Sequence, residues 1–304
     1  MLRRQFLAWA GFAPWQSGTP SILVHEHILV DFIGAAQASP GRYKPDEVAA
    51  ALRPRLEEIK TLGCRRFQDA TPNYLGRDPR LLARLEQETG LEIWTNTGLY
   101  AAGKDFQFLP DFARTETAGQ LALRWIREVR RGVDGVKPRF IKIGVSGANP
   151  LHELDLKVVT AAALTSIETG LTIASHTTSG AAALAQLEAL DRRHVKPSKF
   201  VWVHAHNEKD QRFHEQVARA GAWVEFDGLG PKTAGWHQAC LVNLSGRGLL
   251  DRALLSQDAG WYRVGEPQGG EFTPYSYIYN HFLPAMDEKW SRLLLWENPR
   301  NAFG

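Results

Sequence analysis

The chain has 304 residues, of which 44% are hydrophobic and 23% charged, a balance typical of a globular protein with a sizeable core. A net charge of +3 without a basic stripe argues against a nucleic-acid partner. Two cysteines without CxxC spacing argue against a disulfide framework, and no apolar run reaches the roughly 18 residues that would span a membrane.

The first 19 residues are predicted to form a leader, followed by one domain over residues 20–304. Residues 2–11 look like a twin-arginine export signal, because Arg3 and Arg4 precede Phe6 and a short apolar stretch. Pro14 interrupts that stretch, and no Ala-x-Ala cleavage site follows. Two locations therefore stay open: the periplasm, or the cytoplasm with a disordered or surface-packed leader.

Beyond the leader, short β-rich runs alternate with amphipathic helical runs. Several helices end on a glycine directly before a strand, which is typical of helix-to-strand turns. Eight strand–helix pairs predict a single-domain α/β fold, the closed TIM (β/α)8 barrel. The predicted strands are 22–30, 64–70, 92–97, 139–145, 171–176, 199–204, 222–227 and 253–258, and the clearest helices are 44–62, 79–89, 115–131, 151–169 and 208–220. The stretches 228–246 and 259–273 are predicted to be irregular loops that shape a pocket.

Strand one carries His25-Glu26-His27. Side chains alternate along a strand, so His25 and His27 share a face and Glu26 takes the other. Two imidazoles on one face could bind one metal ion. Two hydrogen-bonded core histidines would give the same tripeptide, so both interpretations stay open at this point.

Further candidates fall at the C-terminal ends of later strands, where barrel enzymes carry their chemistry. They are Lys142, His176, His204 and Asp258. Lys142 stands in an apolar strand, and burying its charge without a partner would cost several kcal/mol. Either it pairs with a buried carboxylate, or CO2 converts its amine to a carbamate, an anionic ligand that can bridge two metal ions.

Together these residues resemble the phosphotriesterase family of the amidohydrolase superfamily. The pattern is His-x-His on strand one, lysine on strand four, histidine on strands five and six, and aspartate on strand eight. The resemblance covers essentially the whole chain from about residue 20. Further local matches are Thr97-Gly98-Leu99-Tyr100, Ser175-His176-Thr177 and Asn298-Pro299-Arg300.

The resemblance implies two divalent metal ions, most often zinc. His25, His27 and Asp258 would bind a buried ion, and His176 and His204 an exposed one, with carboxylated Lys142 and a hydroxide bridging the two. The hydroxide would attack a small ester, lactone or phosphotriester-like substrate, and Asp258 would accept its proton as the general base. An amidase of N-acyl compounds and a catalytically silent barrel that binds a small molecule are the alternatives.

Other polar residues are predicted to orient these ligands. Asp227 matches a family aspartate of the proton relay, although a solvated carboxylate at the barrel mouth would look the same. Spacing does not decide whether His204 or His206 binds metal; the resemblance favours His204 and leaves His206 as a relay or pocket group. The residues His152, His194 and His214 are predicted to lie on the surface.

Three residues are predicted to face the substrate. Tyr100 follows strand three and either lines the pocket or packs in the core, and Trp261 borders the pocket. Lactone-hydrolysing members of the family often carry arginine after the strand-seven aspartate; here that residue is Gly228, and the nearest cation is Lys232. Exposed aromatic loops are compatible with a homodimer.

Overall fold

The computed structural model describes residues 18–304. The predicted export signal at residues 2–11 therefore lies outside the described residues. Within 18–304, no helix has the length and apolar character needed to cross a membrane.

A ring of parallel strands forms the centre of the molecule, and each neighbouring pair in it is parallel. The predicted third strand is interrupted at Thr95, which divides it into two short strands. The last barrel strand is also interrupted, at residues 256–259. The strands are β1 (Ser21–Val30), β2 (Cys64–Asp69), β3 (Glu92–Trp94), β4 (Asn96–Thr97), β5 (Phe140–Gly144), β6 (Ile173–His176), β7 (Phe200–Val203), β8 (Trp223–Phe226), β9 (Ala253–Leu255) and β10 (Gly260–Arg263).

The barrel closes between its last and first strands. β9 pairs with β8, whereas β10 pairs with β1 in the register His27 to Gly260. Between them, the Asp258 amide donates to the His25 carbonyl at 3.0 Å, and the His27 amide donates to the Ala259 carbonyl at 2.9 Å. The predicted closed (β/α)8 barrel is therefore confirmed.

Helices cover the outside of the ring. Gly90 and Gly170 adopt left-handed conformations at helix C-termini, as their positions before strands predicted. The predicted helix 115–131 is two helices, because the chain is extended at Glu116 and Thr117. The helices are α1 (Pro45–Thr61), α2 (Pro79–Thr89), α3 (Asp111–Thr115), α4 (Ala118–Arg131), α5 (Glu153–Thr169), α6 (Gly180–Asp191), α7 (Gln211–Arg219), α8 (Ala234–Gly246), α9 (Glu288–Arg292) and α10 (Asn298–Phe303).

Both of the predicted irregular loops contain regular structure. The prediction of a loop at 228–246 was wrong over most of its length, because α8 packs Cys240, Leu241 and Leu244 against the barrel. The prediction for 259–273 missed β10, whose backbone completes the ring.

Two apolar cores leave only one end of the barrel for chemistry. The larger core lies between the strands and the helices. The smaller one fills the inside of the barrel near the strand starts, where Phe140 and Leu254 pack against Phe303 of α10. The opposite end, at the carboxyl ends of the strands, carries the candidate ligands.

A shift in the pairing of β1 and β2 places the histidines. The register changes between Leu23 and Glu26, as at a β-bulge. Val24 packs in the inner core and His25 lines the cavity above it, so two successive side chains face inward. His27 then faces the cavity as well, and Glu26 points away from it.

Candidate metal centre and active site

Three candidate ligands meet where the last barrel strand closes on the first. Nε2 of His27 lies 2.9 Å from Oδ1 of Asp258, and Nε2 of His25 lies 3.7 Å from the same oxygen. One ligand atom from each of the three lies within 4.8 Å of the other two. The structure therefore brings together the three residues that were predicted to bind the buried ion.

Hydrogen bonds behind the two imidazoles determine which nitrogen faces the cavity. Nδ1 of His25 donates to Oε1 of Glu225 at 2.7 Å. Nδ1 of His27 donates to Oγ1 of Thr71 at 2.8 Å, and Thr71 in turn donates to Asp69 at 2.6 Å. Each ring therefore carries its proton on Nδ1 and presents the lone pair of Nε2 to the cavity.

The charge states of this trio suit a cation. Desolvation, followed by the charge of Lys142, lowers the pKa of His25 to about 3, so its ring is neutral. Burial alone would raise the pKa of Asp258, but its contact with His27 and the nearby histidines hold it below its usual value. At neutral pH the site thus contains the carboxylate of Asp258 and the uncharged imidazole of His25.

Lys142 lines the same cavity from β5 and is 2% exposed. Burial lowers the pKa of its amine, although the nearby carboxyl groups of Glu225, Asp258 and Asp227 oppose that shift. The uncharged amine is the form that reacts with CO2. The buried carboxylates that the alternative interpretation requires are present as well, so both interpretations fit this geometry.

His176 and His204 form the other side of the cavity. Their ring centroids are 4.3 Å apart. His176 ends β6, and burial lowers its pKa well below the usual value. His204 follows Val203 with a φ of 64°, so the chain leaves the strand there and its ring reaches the cavity instead of the outside.

Asp227 holds His204 in this position. Its Oδ2 accepts from the His204 amide at 2.9 Å, and its Oδ1 accepts from His204 Nδ1. Burial raises the pKa of Glu225 well above its usual value, aided by the charge of Asp227 and the hydrogen bond between the two carboxyl groups. The proton in the hydrogen bond between these two carboxyl groups therefore belongs to Glu225, and Asp227 stays ionised. Asp227 is fully buried, so the alternative of a solvated carboxylate is wrong.

His206 lies on the far side of Asp227 and does not line the cavity. Its Nδ1 is 3.4 Å from Asp227 Oδ1, and its ring stacks on His237 at 5.1 Å. Nε2 of His237 donates to the Asp227 carbonyl at 2.6 Å. A position next to Asp227, behind the His204 ligand, fits the relay role predicted for His206 and does not fit the alternative pocket role.

Gly228 makes room for His206. Its φ is 66°, and a Cβ on it would lie 2.9 Å from Nε2 of His206. The arginine that lactone-hydrolysing relatives often carry would meet this ring. Lys232, the nearest cation in the sequence, is exposed and does not line the cavity.

Gly228→Ala is expected to lower the free energy of unfolding by about 1–3 kcal/mol, because a side chain at positive φ is strained and the new methyl group meets His206. Gly230→Ala is the matched control, since nothing lies within 4 Å of a Cβ at that position. Chemical denaturation of both variants measures the difference. Equal stability of the two variants would contradict the close packing of His206.

Aromatic side chains surround the cavity mouth. The Tyr100 hydroxyl lies 3.1 Å from Nε2 of His176, so Tyr100 lines the pocket as well as packing in the barrel. Trp261 lies 5.0 Å from His27 and 5.5 Å from Phe32, measured between ring centroids. The cavity has a volume of about 90 Å³. Among the described residues that line it, Lys142 is the only lysine or arginine.

The sequence interpretation missed several residues of the site. Asp69 ends β2 and Thr71 follows it, while Glu225 lies in β8 and Asp227 follows it; polar residues at the end of a buried strand were the available signal. The surface prediction for His214 was wrong: the side chain is fully buried, and Nε2 donates to the Ala205 carbonyl at 2.8 Å. His152 and His194 are exposed, as predicted.

The donor set fits divalent metal. Nε2 of His25, Nε2 of His27 and Oδ1 of Asp258 converge within 4.8 Å of one another, and the Nδ1 hydrogen bonds of the two rings leave both Nε2 atoms available as ligands. Asp258 Oδ1 is buried and accepts no hydrogen bond from the described residues. Imidazole nitrogen and carboxylate oxygen are ligands that zinc accepts. A second cluster, His25, His204 and Asp227, is held by hydrogen bonds through Nδ1 and is a support of the ligands.

Comparisons with known proteins agree with this geometry. The sequence profile of the phosphotriesterase family matches residues 15–303. A phosphotriesterase homology protein of Escherichia coli (strain K12) is 28% identical over 292 residues, which cover 92% of this chain and 97% of that protein. An aryldialkylphosphatase of Saccharolobus solfataricus is 26% identical, with 68% of this chain and 66% of that protein covered.

A solved structure shows the same fold. A mutant of a PTE-like lactonase from Deinococcus radiodurans superimposes with a TM-score of 0.83 at 25% identity, covering 95% of this chain and 97% of that chain. Residues 15–303, which match the family profile, include all six candidate ligands.

Proposed function

The chain belongs to the phosphotriesterase family and is a hydrolase acting on ester bonds; from this premise we propose that its substrate is a small ester or lactone, and that the six residues converging on the cavity bind two divalent ions. The observation that carries the proposal is the convergence of ligand atoms of His25, His27 and Asp258 within 4.8 Å of one another. A phosphotriester-like substrate is the next candidate.

The proposal assigns separate roles to the two sides of the cavity. His25, His27 and Asp258 would bind the buried ion, and His176 and His204 the exposed one. Lys142, as its carbamate, would supply the oxygen ligand shared between them. Zinc fits the nitrogen-rich set. The chemistry that bound divalent cations supply is hydroxide from water near neutral pH, together with polarisation of the substrate oxygen.

The residues of the chain supply proton transfer and orientation. Asp258 is ionised at neutral pH and faces the cavity, so the carboxylate oxygen that does not bind the ion can accept the proton released during attack. Glu225, Thr71 and Asp227 fix the tautomers of the histidines by accepting their Nδ1 protons. Buried supports of this kind keep the ligand atoms in place through turnover.

The cavity mouth favours an uncharged substrate with an apolar group. Phe32 is 48% exposed and lies next to Trp261, which provides an apolar surface outside the cavity. No arginine or lysine of the described lining other than Lys142 is available to pair with a phosphate monoester. Carboxylic esters and lactones with an apolar tail therefore fit better than phosphorylated sugars.

Metal analysis joined to a substrate screen tests the proposal. Protein produced with added zinc and bicarbonate is expected to contain about two equivalents of transition metal. Fewer than about one equivalent would contradict the two-ion centre. The screen compares lactones and aryl esters with N-acyl amino acids and phosphotriesters, and each apolar ester has a phosphorylated counterpart as its control. Faster hydrolysis of the N-acyl compounds, or of the phosphorylated counterparts, would overturn the substrate assignment.

A further inference from the structure

Glu26 is a buried carboxylate that faces away from the cavity, and none of the roles assigned above uses it. Its Oε1 accepts from the Ser256 hydroxyl at 2.9 Å and from the Gln257 amide at 3.0 Å. Its Oε2 accepts from the Ala259 amide at 2.7 Å. All three donors belong to the four-residue interruption of the last barrel strand.

These bonds enclose Asp258. The Gln257 and Ala259 amides on either side of it go to the Glu26 side chain, and the Asp258 amide goes to the His25 carbonyl. Asp258 itself has a φ of 52°, a conformation that non-glycine residues rarely adopt. Three consecutive amides of the last strand are therefore bound by two consecutive residues of the first.

Ser256 connects the same two residues from the other direction. Its hydroxyl oxygen accepts from the His25 amide at 3.1 Å while its proton goes to Glu26. The contact thus joins the backbone that carries the His25 ring to the backbone that carries the Asp258 carboxylate. The distance between these two ligands is set from behind the site.

We propose that Glu26 is a positioning residue that fixes the backbone at Asp258, and so sets the approach of this carboxylate to His25 and His27. Its effect on catalysis rests on the function proposed above, whereas its effect on the backbone does not. A buried carboxylate that only stabilised the fold would not need to direct both of its oxygens to the residues flanking one ligand.

Hydrogen exchange of the metal-free protein tests the backbone role directly. In Glu26→Gln the amide group supplies one acceptor and one donor in place of two acceptors, so at least one of the three donors loses its partner. Peptides covering residues 253–263 are expected to exchange at least about tenfold faster than in the wild type, with β5 unchanged, because local opening can occur without global unfolding. Unchanged exchange at 253–263, or equal acceleration over the whole chain, would overturn the proposal.

Two further variants complete this experiment. Asp155→Asn is the matched control. Asp155 is a buried carboxylate on α5 that accepts hydrogen bonds from the Ser146 amide at 3.2 Å and from the Ser146 hydroxyl at 2.5 Å. It is expected to leave exchange at 253–263 unchanged. Should Glu26→Gln not fold, Ser256→Ala removes one of the three bonds and keeps both amide bonds. It is expected to accelerate exchange in the same peptides by a smaller factor, and unchanged exchange there would overturn the proposal.

Zinc titration and steady-state kinetics test the consequence for the site. Loss of a residue that supports metal ligands typically lowers metal affinity or activity by about 10- to 100-fold. We expect Glu26→Gln to lose affinity for the first ion and kcat by such factors, with KM within about threefold of the wild type. Unchanged zinc affinity and kcat alongside a raised KM would overturn the positioning role. If no hydrolysis is found with the wild type, the proposed function fails while hydrogen exchange and zinc affinity still decide the role of Glu26.

Discussion

Asp258→Asn is expected to lower kcat by about 10²- to 10⁴-fold while most of the bound metal is kept. The amide oxygen of asparagine can still bind a cation, but the side chain cannot accept a proton. Asp258 is ionised at neutral pH and can therefore accept a proton, because its contact with His27 holds its pKa below the usual value in spite of burial. The measurement is kcat on the best substrate of the screen, together with metal content by mass spectrometry.

The matched control is Asp251→Asn, which removes a carboxylate that is 61% exposed and lies outside the cavity. It is expected to keep both metal and turnover. Wild-type kcat in Asp258→Asn would remove Asp258 as the base. Loss of both bound metal and activity in Asp258→Asn would support Asp258 as a metal ligand and would not support it as the base.

Lys142→Met is expected to lose at least about one equivalent of metal and at least about 100-fold in activity. Removing a residue that only supports a ligand already costs about 10- to 100-fold, and Lys142 is proposed to be a ligand itself. Methionine fills the buried position but cannot form a carbamate. Because the variant also removes a buried amine, its metal-free form is expected to unfold at a temperature no lower than that of the wild type. Metal content, activity and thermal unfolding of the metal-free protein are measured on one preparation.

Bicarbonate dependence separates the carbamate from a simple buried lysine. Metal-free wild type is expected to regain activity faster with zinc and bicarbonate than with zinc in CO2-depleted buffer. Lys137→Met, which changes an exposed lysine outside the cavity, should show the same bicarbonate response as the wild type. A wild type that recovers equally without CO2, or a Lys142→Met variant with full metal content, would contradict the bridging carbamate.

The sequence was sufficient to predict the barrel and to place the candidate ligands on it. Periodicity, helix-ending glycines and buried strands are local properties, and each ligand lies in or follows a strand that such a pattern identifies. The prediction failed where tertiary contacts decide the structure. Helix α8 was mistaken for a loop because it contains Gly235 and Trp236, although Cys240, Leu241 and Leu244 have helical spacing. β10 begins at Gly260 and has Trp261 at positive φ, so only its pairing with β1 makes it a strand.

Residues that support the ligands were harder to predict than the ligands. Thr71 supports His27 from a different barrel strand, and no spacing in the sequence links the two. His214 has helical spacing with Val217 and Ala218, which are buried, so its position on the inner face of α7 could have been read from the pattern. Its polarity favoured the wrong interpretation.

The closure of the barrel has a consequence for the order of events during synthesis. Glu26 and Ala259, which join the two ends of the ring, are 233 residues apart in the chain. A chain emerging from the ribosome therefore carries His25 and His27 long before Asp258 exists to complete their set, and contacts of such long range form slowly. A cation that binds only the closed ring would join the first and last strands of the barrel, because its ligands come from both. At a free concentration of about 1,000 times its Kd, it would stabilise the closed ring by about 4 kcal/mol.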